Sequence, residues 1–342
     1  MSDGAMLIEA AQRLFADRID DAAMRRARGG EWIGEAWDAI AEMGLPLALV
    51  SEEAGGFGVE TVDALALVRL AGAHALPLPL AETMLANGAL GAAGLPLAEG
   101  PAALIDGAGL TIAGEGAGWR ITGTAARVPW ARDLSTLVVA DGAHTFRIGA
   151  GCTVAERSTN LAAMPRDDLA IDAYCEASGP ATGVSPLLAG AALRSLQIAG
   201  ALETVLALTI EHVSDRVQFG RSLSKFQAVQ HELAKLGGDV AVAGAAADMA
   251  AEALAGDPAE ATLAIAAATI RAREAAGSAV AIAQQLHGAI GFTVEHRLHW
   301  YTTALWSWRD EEGGTRYWSD LLGRAALAAG GAGFWQFVTE AA

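Results

Sequence analysis

Three short segments carry the side chains that could do chemistry. Arg216–Gln227, RVQFGRSLSKFQ, places a fixed cation, an amide, an aromatic ring and a glycine inside one helical hairpin, with Gln230 and His231 just beyond. Gln285–Phe292, QLHGAIGF, is a run of small residues behind an amide. Glu311-Glu312-Gly313-Gly314 follows Asp310 as an acidic turn. A guanidinium offers a planar fork of donors to an anion, small residues let backbone approach a ligand, and a carboxylate can accept a proton. Each segment also has a plain reading. The first is a helix-terminal arginine with a buried ring, the second a glycine turn closing a helix, and the third a solvated turn ahead of a helix near Thr315.

Long helices must position these segments. Leu187–Val213, Lys225–Leu254 and Ala259–His287 are Ala/Leu-rich with few charges, and further helices are expected over Arg297–Trp308 and from near Thr315 to about Leu327. Antiparallel helices of this length predict a four-helix bundle whose outer faces can pack on another subunit. Residues 1 to about 100 also read as helices. Glu31–Met43 ends at Gly44 with Pro46 beyond, Ser51–Gly58 is a turn-rich break, Thr61–Ala73 is helical, and Leu76-Pro77-Leu78-Pro79-Leu80 interrupts before a helix resumes at Glu82. Between them the pattern shortens. Trp119–Gly123, Thr136–Val139 and Leu169–Tyr174 are β-like runs separated by Gly, Asp and Pro. The chain is thus expected to be mostly α with a small β domain, divided as 1–100, 101–184 and 185–342.

Composition limits the partners. The hydrophobic fraction is 53% and charged residues are only 18% of 342. Helices apolar on more than one face predict an oligomer. A formal net charge of −17 argues against a nucleic-acid surface. Cys152 and Cys175 form no C-x-x-C and read as reduced thiols in the cytoplasm. Met1–Arg18 reads as an amphipathic helix and not as a signal peptide, and no membrane span is expected. His287, His296 and His299 lie near Glu295 without the H-E-x-x-H spacing, so no metal site is expected. A G-x-S-x-G nucleophile and a Rossmann fingerprint are both absent, since Gly55-Gly56-Phe57-Gly58 lacks the following helix.

The order and spacing of the three segments resemble the carboxy-terminal half of the acyl-CoA dehydrogenases, flavoenzymes that desaturate acyl-CoA thioesters. The helix–β–helix order resembles the same family across nearly the whole chain. Ala41–Leu45 followed by Ser51-Glu52-Glu53-Ala54-Gly55-Gly56 resembles the segment ending in P-E-x-x-G-G, with Ser51 in place of the proline. The resemblance implies that Arg216 pairs with the diphosphate of FAD across a dimer interface, with Gln218, Phe219, Phe226 and Gln227 as polar and aromatic contacts of the adenosine half. Gln285, Leu286, His287, Gly288 and Ala289 match Q-x-x-G-G, with Ala289 at the second glycine, and are assigned with Gly314 to the cofactor.

From Gln285 the family pattern runs without a gap to its aromatic-Glu-Gly-Thr motif and lands on Glu312, the implied catalytic base. That base removes the proton alpha to the thioester carbonyl while the beta hydrogen leaves as hydride to flavin N5. Glu311 stands where the family has an aromatic ring. In some members the base instead precedes an arginine on the first bundle helix; here that position is Leu193, ahead of Arg194. The T-E-P-x-x-G-S-D strand of the middle domain has no match between Ala93 and Trp119, whereas Trp119–Ala131 resembles the later strand pair, with Trp130-Ala131 at the flavin-side turn. An incomplete flavin cradle resembles the shortened subunit of heteromeric enzymes acting on bulky steroid side-chain thioesters, in which FAD lies between a short and a full-length subunit. The resemblance therefore implies an FAD-dependent acyl-CoA dehydrogenase of lipid β-oxidation or steroid catabolism. It would work in a homo- or heterotetramer with an acyl-CoA substrate, a longer partner subunit and electron-transfer flavoprotein as acceptor. The alternative is a non-catalytic subunit that supplies the FAD-adenosine clamp to a catalytic partner.

Overall fold

The computed structural model of the chain describes residues 3–340. Met1, Ser2, Ala341 and Ala342, at the outer ends of the first and last expected domains, lie outside the described residues. The chain forms two compact units. One holds Met1–Val68 and Pro77–Gly190, the other Arg69–Leu76 and Ala191–Ala342.

The first unit opens with α1 (Asp3–Arg18), α2 (Asp21–Arg28) and α3 (Gly34–Glu42). The helix expected from Glu31 starts only at Gly34. Trp32 stays outside it and packs tilted at 5.8 Å against Trp37 and edge-on at 6.2 Å against Trp130. Gly44 closes the segment with φ 76°, a left-handed conformation that glycine adopts without strain. Ser51 caps a short 3₁₀ turn through its hydroxyl, which accepts from the Ala54 N–H. α4 (Thr61–Ala73) and α5 (Leu80–Ala92) follow.

Two four-stranded sheets then pack face to face. The first has the order β1 (Ala102–Asp106), β4 (Thr136–Ala140), β5 (His144–Ile148), β8 (Ser178–Pro180); the second has β2 (Thr111–Glu115), β3 (Gly118–Pro129), β7 (Arg166–Cys175), β6 (Cys152–Glu156). β1 and β4 run parallel, and the other pairs are antiparallel. In β7 Leu169, Ile171, Ala173 and Cys175 are buried while Asp172 and Tyr174 are exposed, the alternation of a one-sided strand. They meet Ile121, Leu137, Val139 and Phe146 in the inter-sheet core. β4 is buried along its whole length because its other face, at Val138, packs with Ala86, Ala89 and Leu90 of α5. Burial on both faces explains why it reads as a continuous apolar run. β1, β2, β5, β6 and β8 are strands that the sequence pattern did not single out; they are short and rich in Gly, Ala and Thr.

The second unit is helical: α6 (Pro186–Asp215), which begins in the first unit, then α7 (Gln227–Ala255), α8 (Ala261–His287), α9 (Leu298–Asp310) and α10 (Thr315–Glu340). α6 is long and apolar enough to cross a membrane by length and composition, yet 67% of its most apolar window is buried inside the protein, so it is a core helix. Gly330 has non-helical angles and interrupts α10 just beyond the stop expected near Leu327. Between α6 and α7 the sequence pattern implied only a helical hairpin. The structure inserts a β-ribbon of β9 (Val217–Gln218) and β10 (Arg221–Ser222). Phe219 and Gly220 at its tip both have positive φ, 51° and 79°, as a tight two-residue hairpin turn requires.

Small residues let these helices approach closely. Ala243, Ala247, Ala250 and Ala251 of α7 and Ala268, Ala272, Ala276 and Ala279 of α8 are buried. A Cβ on Gly200 would sit 1.9 Å from the carbonyl oxygen of Arg69, and one on Gly72 would sit 2.1 Å from that of Gln197. Arg69 also pairs with Glu203 of α6 at 2.5 Å and Asp248 of α7 at 2.7 Å. We therefore expect Gly200→Ala to destabilise the protein by about 1–3 kcal/mol, because backbone must move to admit the methyl group. Gly237→Ala, in α7 with open space around it, should instead stabilise by roughly 0.5–1 kcal/mol. Thermal unfolding of the two variants should move in opposite directions.

Candidate functional site

The second unit carries a concavity of about 720 Å³ built where α6 ends, the β9–β10 ribbon turns and α8 ends. Arg216 follows the last residue of α6, and Gln218 lies on the ribbon. Gln285, Leu286 and His287 form the last turn of α8, with Gly288 and Ala289 beyond; all seven line the concavity. Gly288 has φ 65° and ψ −147°, a region open essentially to glycine, and this turns the chain sharply at the end of α8. A Cβ on Gly291 would meet the His287 Cβ at 2.9 Å, so the third small position of the segment is also required. Ala289, at the second, is exposed and fits without rearrangement.

Phe219, Phe226 and Gln227, also assigned to the cofactor, lie outside this lining. Phe219 is 91% exposed at the ribbon tip and meets Phe226 edge-on at 6.3 Å. The Arg221 guanidinium covers the Phe226 ring at 4.1 Å. Gln227 is exposed at the start of α7. In the first unit Trp130 is buried with φ 58°, edge-on to Trp32, so its ring serves the core.

Histidines at the concavity were not all legible in the sequence. His212 lies one helical turn before Arg216 and lines the same wall. Its ring stacks on His287 at 4.4 Å with 21° between planes, and His296 meets His287 edge-on at 4.9 Å. Their ring nitrogens lie within 4.8 Å of one another. The expected neighbours were His287, His296 and His299; His212 replaces His299 in space. His287 is 5% exposed and donates Nδ1–H to the Ala283 carbonyl at 2.8 Å. His296 Nδ1 accepts the Leu298 N–H at 3.1 Å, so in the neutral ring its proton sits on Nε2. That proton and the parallel stacking of His212 on His287 are a poor donor set for a metal ion. Burial pushes the His287 imidazole down to about 4. Burial, then Arg216, lowers His212 against the opposing pull of Asp215; burial, then His212, lowers His296.

Glu312 and Gly314 are not part of this concavity's lining. They occupy the turn between α9 and α10, where Glu312 is half-buried with φ 53° and Gly313 has φ 74°. Arg273 of α8 holds that turn. Its guanidinium donates to the carbonyls of Glu311, Glu312 and Gly313, and Trp318 Nε1 donates to the Glu312 carbonyl at 3.0 Å. Burial pushes Arg273 down to about 10, against the carboxylates of Glu312, Asp310 and Glu311. Glu311 does not read as a solvated acid. Its carboxylate is 2.9 Å from Arg194 Nε of α6, with side-chain exposures of 8% and 4%, and Arg194 also donates to the Gln197 side-chain oxygen. Leu193, at the alternative base position, is buried.

The acidic turn therefore depends on two buried arginines, neither of which the local sequence pattern identified. Glu311→Ala leaves Arg194 buried without its carboxylate and should cost about 3–5 kcal/mol. Arg273→Met, which strips donors from three carbonyls, should destabilise comparably. Glu312→Gln should leave the melting temperature within a few degrees of wild type. Denaturant titration of the three variants checks this ordering.

The chain is similar to known proteins along most of its length. The family domain described as "Acyl-CoA dehydrogenase, N-terminal domain" matches residues 2–98, and that described as "Acyl-CoA dehydrogenase, C-terminal domain" matches residues 183–333. The chain is 32% identical over 305 residues to acyl-CoA dehydrogenase IpdE2 of Mycobacterium tuberculosis, covering 86% of this chain and 88% of that protein. It is similar in structure to a chain of the Tcur3481-Tcur3483 steroid ACAD G363A variant, with TM-score 0.84, 27% identity and coverage of 96% and 99%. It also shares its fold with a chain of the ChsE4-ChsE5 complex from Mycobacterium tuberculosis, with TM-score 0.82, 22% identity and coverage of 96% and 98%. The chain belongs to the acyl-CoA dehydrogenase family, FAD-dependent oxidoreductases that act on CH–CH bonds of acyl-CoA thioesters.

Proposed function

We propose that this chain works as one subunit of a tetrameric acyl-CoA dehydrogenase and holds the diphosphate and adenosine half of FAD in the concavity at the ends of α6 and α8. The convergence of Arg216, Gln218 and Gln285 on one wall, beside the Gly288 turn, carries the reading. The Arg216 guanidinium has no carboxylate partner among the described residues, so its donors are open to an anion. The two amide side chains offer both donors and acceptors to a sugar or base.

FAD, when bound, supplies the two-electron acceptor for the substrate C–H bond. The chain's own candidate for the coupled proton is Glu312, held at a fixed backbone position by Arg273 and Trp318. In this role its carboxylate takes the proton alpha to the thioester carbonyl. The names of the steroid ACAD structure and of the ChsE4-ChsE5 complex support a bulky, steroid-like acyl group and an unlike partner subunit. We assign the electron acceptor to the electron-transfer flavoprotein class and the location to the cytoplasm. The exposed Val217, Phe219, Phe292 and Val294 beside the concavity suit burial against another subunit.

A second reading has its own observation. Glu311 and Arg194 form a buried pair where the family places an aromatic ring next to the base, which is consistent with a turn kept for structure. In that case this subunit is the clamp and its partner carries the base.

Two measurements test these roles. Arg216→Ala should lower the flavin-to-protein ratio of the purified assembly, at an expected loss of about 2 kcal/mol of cofactor binding, without a matching fall in melting temperature. Glu312→Gln should keep FAD yet slow flavin bleaching by an anaerobically added acyl-CoA by about two to four powers of ten. Bleaching at the wild-type rate would place the base on the partner and make this chain the clamp.

A further inference from the structure

The charge in the concavity does not match the ligand proposed for it. Among its lining residues the permanent charges are those of Arg216 and Glu232, which cancel. A diphosphate diester carries a negative charge on each phosphorus. With neutral histidines the wall therefore leaves that charge uncompensated in a partly desolvated site, where the deficit is costly.

We propose that His212 is a second cation of this site and takes up a proton from solvent when the FAD diphosphate enters. The inference rests on the FAD reading above. Position selects His212. It lines the concavity one turn from Arg216, so both can face a single anion. His287 is nearly fully buried and already donates Nδ1–H to Ala283. His296 is outside the lining and its Nδ1 is occupied by the Leu298 N–H. The charged and titratable groups around His212 are Glu211 and Asp215 on α6, Arg216 just after it, Glu232 on α7, His287 at the end of α8, and His296 beyond it.

In the ligand-free protein burial and Arg216 keep His212 neutral near neutral pH. A bound anion reverses that field and raises the proton affinity of the ring. The sign of the linkage follows. The pKa is higher in the complex than in the free protein, so FAD binding is strongest below the free pKa and weakens as pH rises through the bound one.

The test is calorimetric titration of the deflavinated assembly with FAD. It uses two buffers of different ionisation enthalpy, neither of them phosphate, at several pH values. Wild type should take up about one proton per FAD in the linked window, and its Kd should rise by up to about tenfold per pH unit there. His212→Gln should lose both the uptake and the slope. His212→Lys, with a fixed cation, should bind FAD at pH 8 as tightly as wild type does at low pH, again without slope. This guards against a glutamine variant that merely folds poorly. Arg216→Ala should weaken FAD at every pH and keep the slope. No proton uptake by wild type, or uptake retained in His212→Gln, overturns the role of His212 while leaving the FAD site standing. If Arg216→Ala binds FAD as wild type does, the FAD assignment of this cavity fails, and this inference fails with it.

Discussion

A buried guanidinium cannot give up its charge, so the surrounding structure must supply acceptors for it. Arg273 is 2% exposed and takes three consecutive backbone carbonyls of the α9–α10 turn as its acceptors. That demand fixes the turn in which Glu312 and Gly313 both have positive φ, a conformation that a glutamate does not adopt readily unless it is held there. It also sets where α10 begins relative to α8. The second buried arginine, Arg194, finds its acceptor in the Glu311 carboxylate and so ties α6 to the same turn. The acidic segment is thus held from α8 and α6 by cations that cannot reach water.

Burial acts in the opposite sense at the concavity. There the desolvated groups are imidazoles, which can shed their charge, and burial keeps them neutral. The same physical cost therefore yields a rigid ionic clamp at one site and a neutral, titratable wall at the other. The difference lies in the side chain. A guanidinium stays protonated across the biological pH range, whereas an imidazole sits within reach of it.

The low charge content of the chain has a local counterpart in the helical unit. Where Gly200 faces the Arg69 carbonyl, the backbones are too close for any side chain, and alanines fill most of the α7 and α8 contact. Close packing of small residues buries little apolar area per residue, so the unit relies on many such contacts and on a few cross-links such as Arg69 with Glu203 and Asp248. The apolar residues left exposed at the ribbon and after α8 lie beside the concavity and concentrate apolar surface there.

Much of this protein was determined locally. Gly44, the prolines at 77 and 79 and the Ala/Leu periodicity set the helix ends to within a few residues, and the β-like run at Leu169–Tyr174 lies within β7. The R-x-Q-F-G and Q-x-x-G runs singled out Arg216, Gln218 and Gln285–Ala289, which now line one concavity, because each run is contiguous and sits at the end of a single helix. Other features were decided only by the tertiary structure. β1 and β8 are short and small in side chain, β5 mixes His, Arg and apolar residues without a run like that of β4, and all three are ordered by pairing within the β4 sheet. His212 meets His287 and His296 only when α6 and α8 pack. Glu311 reads as a solvated acid until Arg194 arrives from a distant helix, and nothing near Arg273 in sequence announces the carbonyls it will hold. Partners separated by scores of residues leave no local periodicity. Their pairing is set by which buried polar groups must be satisfied once the helices have closed on one another.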